Sequence, residues 1–120
     1  MTDLRECGHQ GLNLLKATDV AQQIAAGHIT SHQLVTDCLQ RIQERDPGIG
    51  AWKFVDPDQA LAQARACDEG ERTGPLLGVP VGIKDNFDTK DMPTEYGTAV
   101  YPGHRPQADS ESVAALRRAG

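Results

Sequence analysis

Long apolar runs, aromatic side chains and paired cysteines are all scarce in this 120-residue sequence, and each scarcity removes a class of protein. No stretch approaches the roughly 18 apolar residues that a membrane-spanning helix needs. The opening residues "MTDLRECGHQ" are charged and lack the apolar centre of a signal peptide. The three cysteines, Cys7, Cys38 and Cys67, form no CxxC pair and no Cys/His spacing suited to zinc. They read as free thiols of a reducing cytoplasm. Basic residues are few: 12 Lys+Arg stand against 17 Asp+Glu, a formal net charge of −5. That balance argues against nucleic acid or an anionic membrane as a direct partner, because phosphate binding needs a positive surface. With only 4% aromatic residues, the core must be built mostly from Leu, Val, Ile and Ala.

What is present reads as an alternation of short elements. Residues 1–16 have no clear period and are expected to be a loosely held lead-in, with 17–120 forming the domain proper. "TDVAQQIAAG" has the marks of a short helix capped by Thr18 and ended near Gly27. "TSHQLVTDCLQRIQERDPG" is a longer one, with Thr30 or Ser31 as the cap. Leu34, Val35, Cys38, Leu39 and Ile42 recur at helical spacing, and Pro47-Gly48 is the expected stop. "AWKFV" alternates like a strand. Asp56 then caps a helix whose first position is Pro57, a favoured place for proline, and Gly70 closes it. "ERTG" is a turn, and "LLGVPVGI" is apolar and strand-like, with pairing centred on Val81–Ile83 because Gly78 and Pro80 interrupt it. Residues 85–108 are mostly loop, and "DSESVAALRRAG" is a closing helix capped by Asp109 or Ser110. Helices alternating with strands imply an α/β layered architecture. Two strands cannot cover four helices, so the chain is expected to be part of a larger sheet.

Lys84 ends the apolar run "GPLLGVPVGIKDN". A phosphate-binding loop is excluded, since the glycine spacing is not GxxxxGK[ST] and Asp85 stands where a hydroxyl is required. One remaining reading is a strand-end lysine whose stem lies on apolar surface while its ammonium reaches water. The other is an enclosed lysine. Desolvation disfavours an ammonium, and a neutral amine can take a proton from a serine hydroxyl.

The segment "GPLLGVPVGIKDNFDTKDMPTEYGT" resembles the amidase signature family of serine hydrolases. The similar positions are Gly74-Pro75-Leu76, Gly78-Val79-Pro80, Lys84-Asp85-Asn86, Asp88-Thr89 and Met92-Pro93-Thr94 with Gly97. The helix "TSHQLVTDCLQRI" and the closing "ADSESVAALRRAG" also resemble that family's N-terminal region. The resemblance implies an α/β/α layered fold and a Ser–cis-Ser–Lys triad in which Lys84 is the catalytic base. It also implies a small-molecule amide as substrate and an acyl-enzyme intermediate. It leaves open self-association of the full-length protein, and an amidotransferase A-subunit branch that passes ammonia on. The two serines of the triad are not matched here. Ser31, Ser110 and Ser112 sit in helix-cap contexts, so these residues alone are expected to be inactive. A non-catalytic interaction module that keeps the same scaffold is the alternative from another class.

Among other residues, Asp85 and Asn86 either orient Lys84 or tie down loop backbone, and short polar side chains commonly do the second. "MPTEYGTAVYPGHRP" lines a cleft or simply packs; Tyr96 and Tyr101 are the residues of interest there. Trp52 is expected to be a core or interface anchor.

Overall fold

The computed structural model describes residues 11–70 and 73–120, so most of the expected lead-in and the first half of the "ERTG" turn lie outside the described residues. Four α-helices are present among them: α1 (Ala17–Ala25), α2 (Ser31–Ile49), α3 (Pro57–Glu69) and α4 (Glu111–Arg118), preceded by a 3-10 turn at Leu12–Leu14. Two compact units are distinguished. One runs to Pro80 and includes Gly120; the other is Val81–Ala119.

In the first unit, α2 and α3 pack through Val35, Leu39, Leu61 and Ala64, with Val55 and Ala60 against them. All four central residues lie on one stripe of each helix, at the spacing expected of an amphipathic element. Polar groups fix how the two helices meet. Thr30 and Gln33 form a reciprocal capping box at the start of α2. The Asp68 carboxylate of α3 accepts the two amides between them, from Ser31 (2.7 Å) and His32 (2.9 Å). The N–H groups of residues 30–33 are thereby all bonded, and a negative charge sits at the positive end of the helix. On α2, buried Asp37 accepts the Asn13 N–H at 3.1 Å and ties the 3-10 turn to the helix.

Several boundaries differ from those read in the sequence. Thr18 lies inside α1, whose N-cap is Lys16 with no side-chain bond. Pro47 does not stop α2, which continues to Ile49. A proline in the last turn forfeits one amide bond but leaves the remaining carbonyls usable. Gly50, in the left-handed conformation, ends the helix by donating to the Asp46 carbonyl. Asp56 and Pro57 behave as expected at the start of α3. Trp52 is 43% exposed, so it is no core anchor of these residues.

Neither expected strand forms among the described residues. The 51–55 segment begins with the Ala51 and Trp52 amides on the Asp46 carboxylate, and "LLGV" is a run of turns closed by Leu77 N–H to Gly74 O and Val79 N–H to Leu76 O. A strand exists only through a ladder with a neighbour, and no neighbouring strand is present in the described chain. The layered α/β arrangement is therefore not seen in these residues.

In the second unit, Ser110 caps α4 through the Val113 N–H, as the sequence suggested, and Val113 is buried. Asp109 is engaged differently. Its carboxylate, 7% exposed, accepts the Lys90 N–H at 2.9 Å and pairs with the Arg117 guanidinium at 2.8 Å; Arg117 also reaches Asp91 at 2.9 Å. Burial works to raise the Asp109 pKa, but the Lys90 amide and Arg117 together outweigh it and hold the carboxyl below its ordinary value.

Two consequences follow for stability. Gly78 has φ +75° and a side-chain carbon there would meet the Ser31 Cβ at 2.8 Å, where the Ser31 hydroxyl donates to the Gly78 carbonyl at 2.6 Å. Gly78→Ala is expected to cost about 1–3 kcal/mol in urea unfolding, with the loss centred on the α2 N-terminus. Because the folded pKa of Asp109 is depressed, its ionised form contributes stability that is complete above the unfolded value, near 3.9, and disappears as pH falls through the lower folded value. Amide protection at Lys90 and in α4 should decline below about pH 4, and Asp109→Asn should flatten that acid dependence.

Candidate active site

Lys84 lies at the start of a tight turn in the second unit, with the Phe87 N–H donating to the Lys84 carbonyl at 3.1 Å. Its side chain is exposed among the described residues, as is that of Asn86. The residue between them is not free. The Asp85 carboxylate accepts the Glu95 N–H at 2.8 Å on one oxygen and the Gly97 N–H at 3.4 Å on the other. The Asp85 side chain thus ties down loop backbone, one of the two roles considered for it.

The turn that Asp85 holds is unusual. Tyr96 has φ +59° and Gly97 has φ +69°, and the Thr98 N–H closes onto the Glu95 carbonyl at 3.2 Å. Positive φ at both central residues is the pattern of a type I′ turn. Glycine adopts it without cost, whereas a bulky residue such as tyrosine does so only when its surroundings compel it. Two contacts do so: the Asp85 clamp on the backbone, and the Tyr96 hydroxyl donating to the Asp88 carboxylate. That hydrogen bond, chiefly, raises the phenol pKa above its ordinary value, with burial and the charge of Asp88 acting in the same sense.

The rings of Tyr96, Tyr101 and His104 gather around this turn with centroids 5.7–6.1 Å apart, Tyr96 and Tyr101 edge to face. In the same unit, the buried hydroxyls of Thr89 and Thr94 lie 2.9 Å apart. Thr94 Oγ1 accepts the Thr89 N–H, and Thr89 Oγ1 donates to the Met92 carbonyl. The Thr94 N–H donates to the His104 carbonyl at 2.8 Å. The threonine pair was not legible in the sequence. "DTKDMPT" carries turn residues, but nothing in it says that two hydroxyls five positions apart meet.

Of the other hydroxyl and thiol groups, Ser112 lies within α4. Ser31 is buried and donates to a backbone carbonyl, and Ser110 caps α4. Cys38 is a free thiol whose pKa is raised, first by burial and then by neighbouring Asp37, which disfavours the reactive thiolate. Cys67 is also free, and Cys7 lies outside the described residues. No group of His, Cys, Asp or Glu among the described residues could hold a metal ion, and none of the described helices is long and apolar enough to cross a membrane.

Comparison with known proteins places this loop in context. The profile of the Amidase family matches residues 33–120, which include the Lys84 turn and the Asp85-held loop. A protein of Mycobacterium tuberculosis named "Putative amidase AmiD" is 41% identical over 113 residues, covering 91% of this chain and 24% of the relative. The A subunit of the glutamyl-tRNA(Gln) amidotransferase of Acidothermus cellulolyticus is 41% identical over 108 residues, 87% of this chain and 21% of its own length. Its counterpart in Streptomyces coelicolor is 40% identical over 109 residues, 88% and 22% respectively. The chain thus spans between a fifth and a quarter of the length of these curated relatives. With the family profile matching residues 33–120, most of its length, the chain belongs to the amidase family.

Proposed function

We propose that this chain is the N-terminal part of a cytoplasmic amidase-signature serine hydrolase with an α/β/α layered fold, in which Lys84 is the catalytic base. The observation that carries the reading is the family match over 33–120, within which Lys84-Asp85-Asn86 occupies a turn fixed on both sides. In the proposed reaction the neutral Lys84 amine accepts a proton relayed through a cis-peptide serine. A second serine oxygen attacks the amide carbonyl, and ammonia or an amine leaves with the returned proton. Water then cleaves the acyl-enzyme to the carboxylic acid. An amine close to neutrality is a better base at physiological pH than a solvated lysine, so the reading requires further chain to cover Lys84, which is exposed among these residues. The chemistry needs no metal or cofactor.

A second reading rests on the relatives themselves, since the amidotransferase relatives match at the same identity as the amidase. In that case the amide is glutamine, and the released ammonia passes on within a complex.

The test uses a longer chain containing these residues and the serines, assayed for ammonia release from a panel of small carboxylic amides that includes glutamine. Lys84→Ala should lower kcat by at least about 100-fold, whereas near-wild-type hydrolysis by that variant would remove the assignment. Preference for glutamine over the other amides would favour the second reading. The 120 residues alone, which contain no glycine-flanked serine pair, should release no ammonia from any member of the panel, and measurable turnover would contradict the proposed division of the triad.

A further inference from the structure

Asp85 carries more than a loop contact. Its backbone is continuous with Lys84, and its carboxylate reaches ten and twelve residues ahead to the amides of Glu95 and Gly97. The Lys84 carbonyl is meanwhile held by the Phe87 N–H. The lysine stem therefore starts from a backbone that is fixed by a turn on its own side and clamped to a second turn across the loop. That second turn contains Tyr96 at φ +59°, a conformation that a tyrosine leaves unless it is held. One carboxylate is thus placed to do two things: accept two N–H groups that a type I′ turn points outward, and fix the chain segment from which Lys84 projects.

We propose that Asp85 is a positioning residue for Lys84, setting the direction of the lysine stem by clamping its turn to the Glu95–Thr98 turn. The proposal rests on the catalytic reading of Lys84 given above. A carboxylate suits the task because ionised oxygens are acceptors only and bind two amides without competition. Asparagine is nearly the same shape but presents one NH2 group, which faces a backbone N–H and cannot accept from it. The geometry also gives a specific dependence. If Asp85 serves to hold the Tyr96 turn against its backbone preference, glycine at position 96, which adopts positive φ freely, should make the carboxylate less necessary.

The experiment is a double-mutant cycle in the longer active chain, with Asp85→Asn, Tyr96→Gly and the double variant, alongside Lys84→Ala. Asp85→Asn is expected to lower kcat by roughly 100-fold, the scale of a misplaced catalytic group, with KM changed less than about threefold. The same variant should lose amide-exchange protection over residues 93–99 while keeping its thermal midpoint within a few degrees. In the Tyr96→Gly background the further loss on adding Asp85→Asn should shrink to about tenfold or less, a coupling that a merely structural role would not produce. Unchanged kcat in Asp85→Asn, or equal losses in both backgrounds, overturns the proposal, as does a fall in activity that tracks only the loss of folded protein. If Lys84→Ala is inactive while Asp85→Asn is fully active, this inference alone fails. If Lys84→Ala is active, the catalytic reading fails with it. The exchange measurement needs no substrate, and unaltered protection over 93–99 in Asp85→Asn contradicts the clamp directly.

Discussion

A single carboxylate, on the residue following Lys84, accepts two backbone amides from a turn ten positions away, and the candidate site is organised around that contact. It clamps the backbone of a turn in which a tyrosine takes a conformation that tyrosine disfavours, alongside the Tyr96–Asp88 bond and the Thr98 N–H to Glu95 carbonyl bond. The aromatic group of Tyr96, Tyr101 and His104 is arranged around the same turn. Among the described residues the Lys84 carbonyl accepts the Phe87 N–H, and the residue next to it carries the clamp.

The same device recurs through both units. Asp37 accepts the Asn13 amide, Asp46 those of Ala51 and Trp52, Asp56 that of Gln59, Asp68 those of Ser31 and His32, and Asp109 that of Lys90. With Asp85, six aspartates satisfy backbone donors that helices and turns leave open. The net charge of −5 is thus partly the outcome of how the chain completes its backbone hydrogen bonding, with short side chains that reach nearby amides at little entropic cost.

How much of this could be read beforehand depended on the range of the interaction. Caps are local, and Thr30, Asp56 and Ser110 were recognisable because a side chain and the amide three residues on are fixed by helix geometry. The positions of Pro47 and Thr18 misled for the same local reason, since each residue type is suited to a boundary that the chain placed elsewhere. Strand patterns at 51–55 and 76–83 describe a tendency that only a neighbouring strand can realise, and the described residues supply none. At the site, the motif around Lys84 was legible through its resemblance to the amidase family. The Asp68 cap on α2 and the Thr89–Thr94 hydroxyl pair were not, because each joins residues whose meeting no periodicity encodes; for Asp85 the role of tying down loop backbone was legible, its partners Glu95 and Gly97 were not.

The most direct test is a crystal structure of the longer chain with an acyl-enzyme or an unreactive amide bound. The account predicts the Lys84 nitrogen within hydrogen-bonding distance of a serine oxygen, out of bulk water, with the Asp85 carboxylate still on the Glu95 and Gly97 amides. A Lys84 side chain extended into solvent and remote from every serine would contradict it.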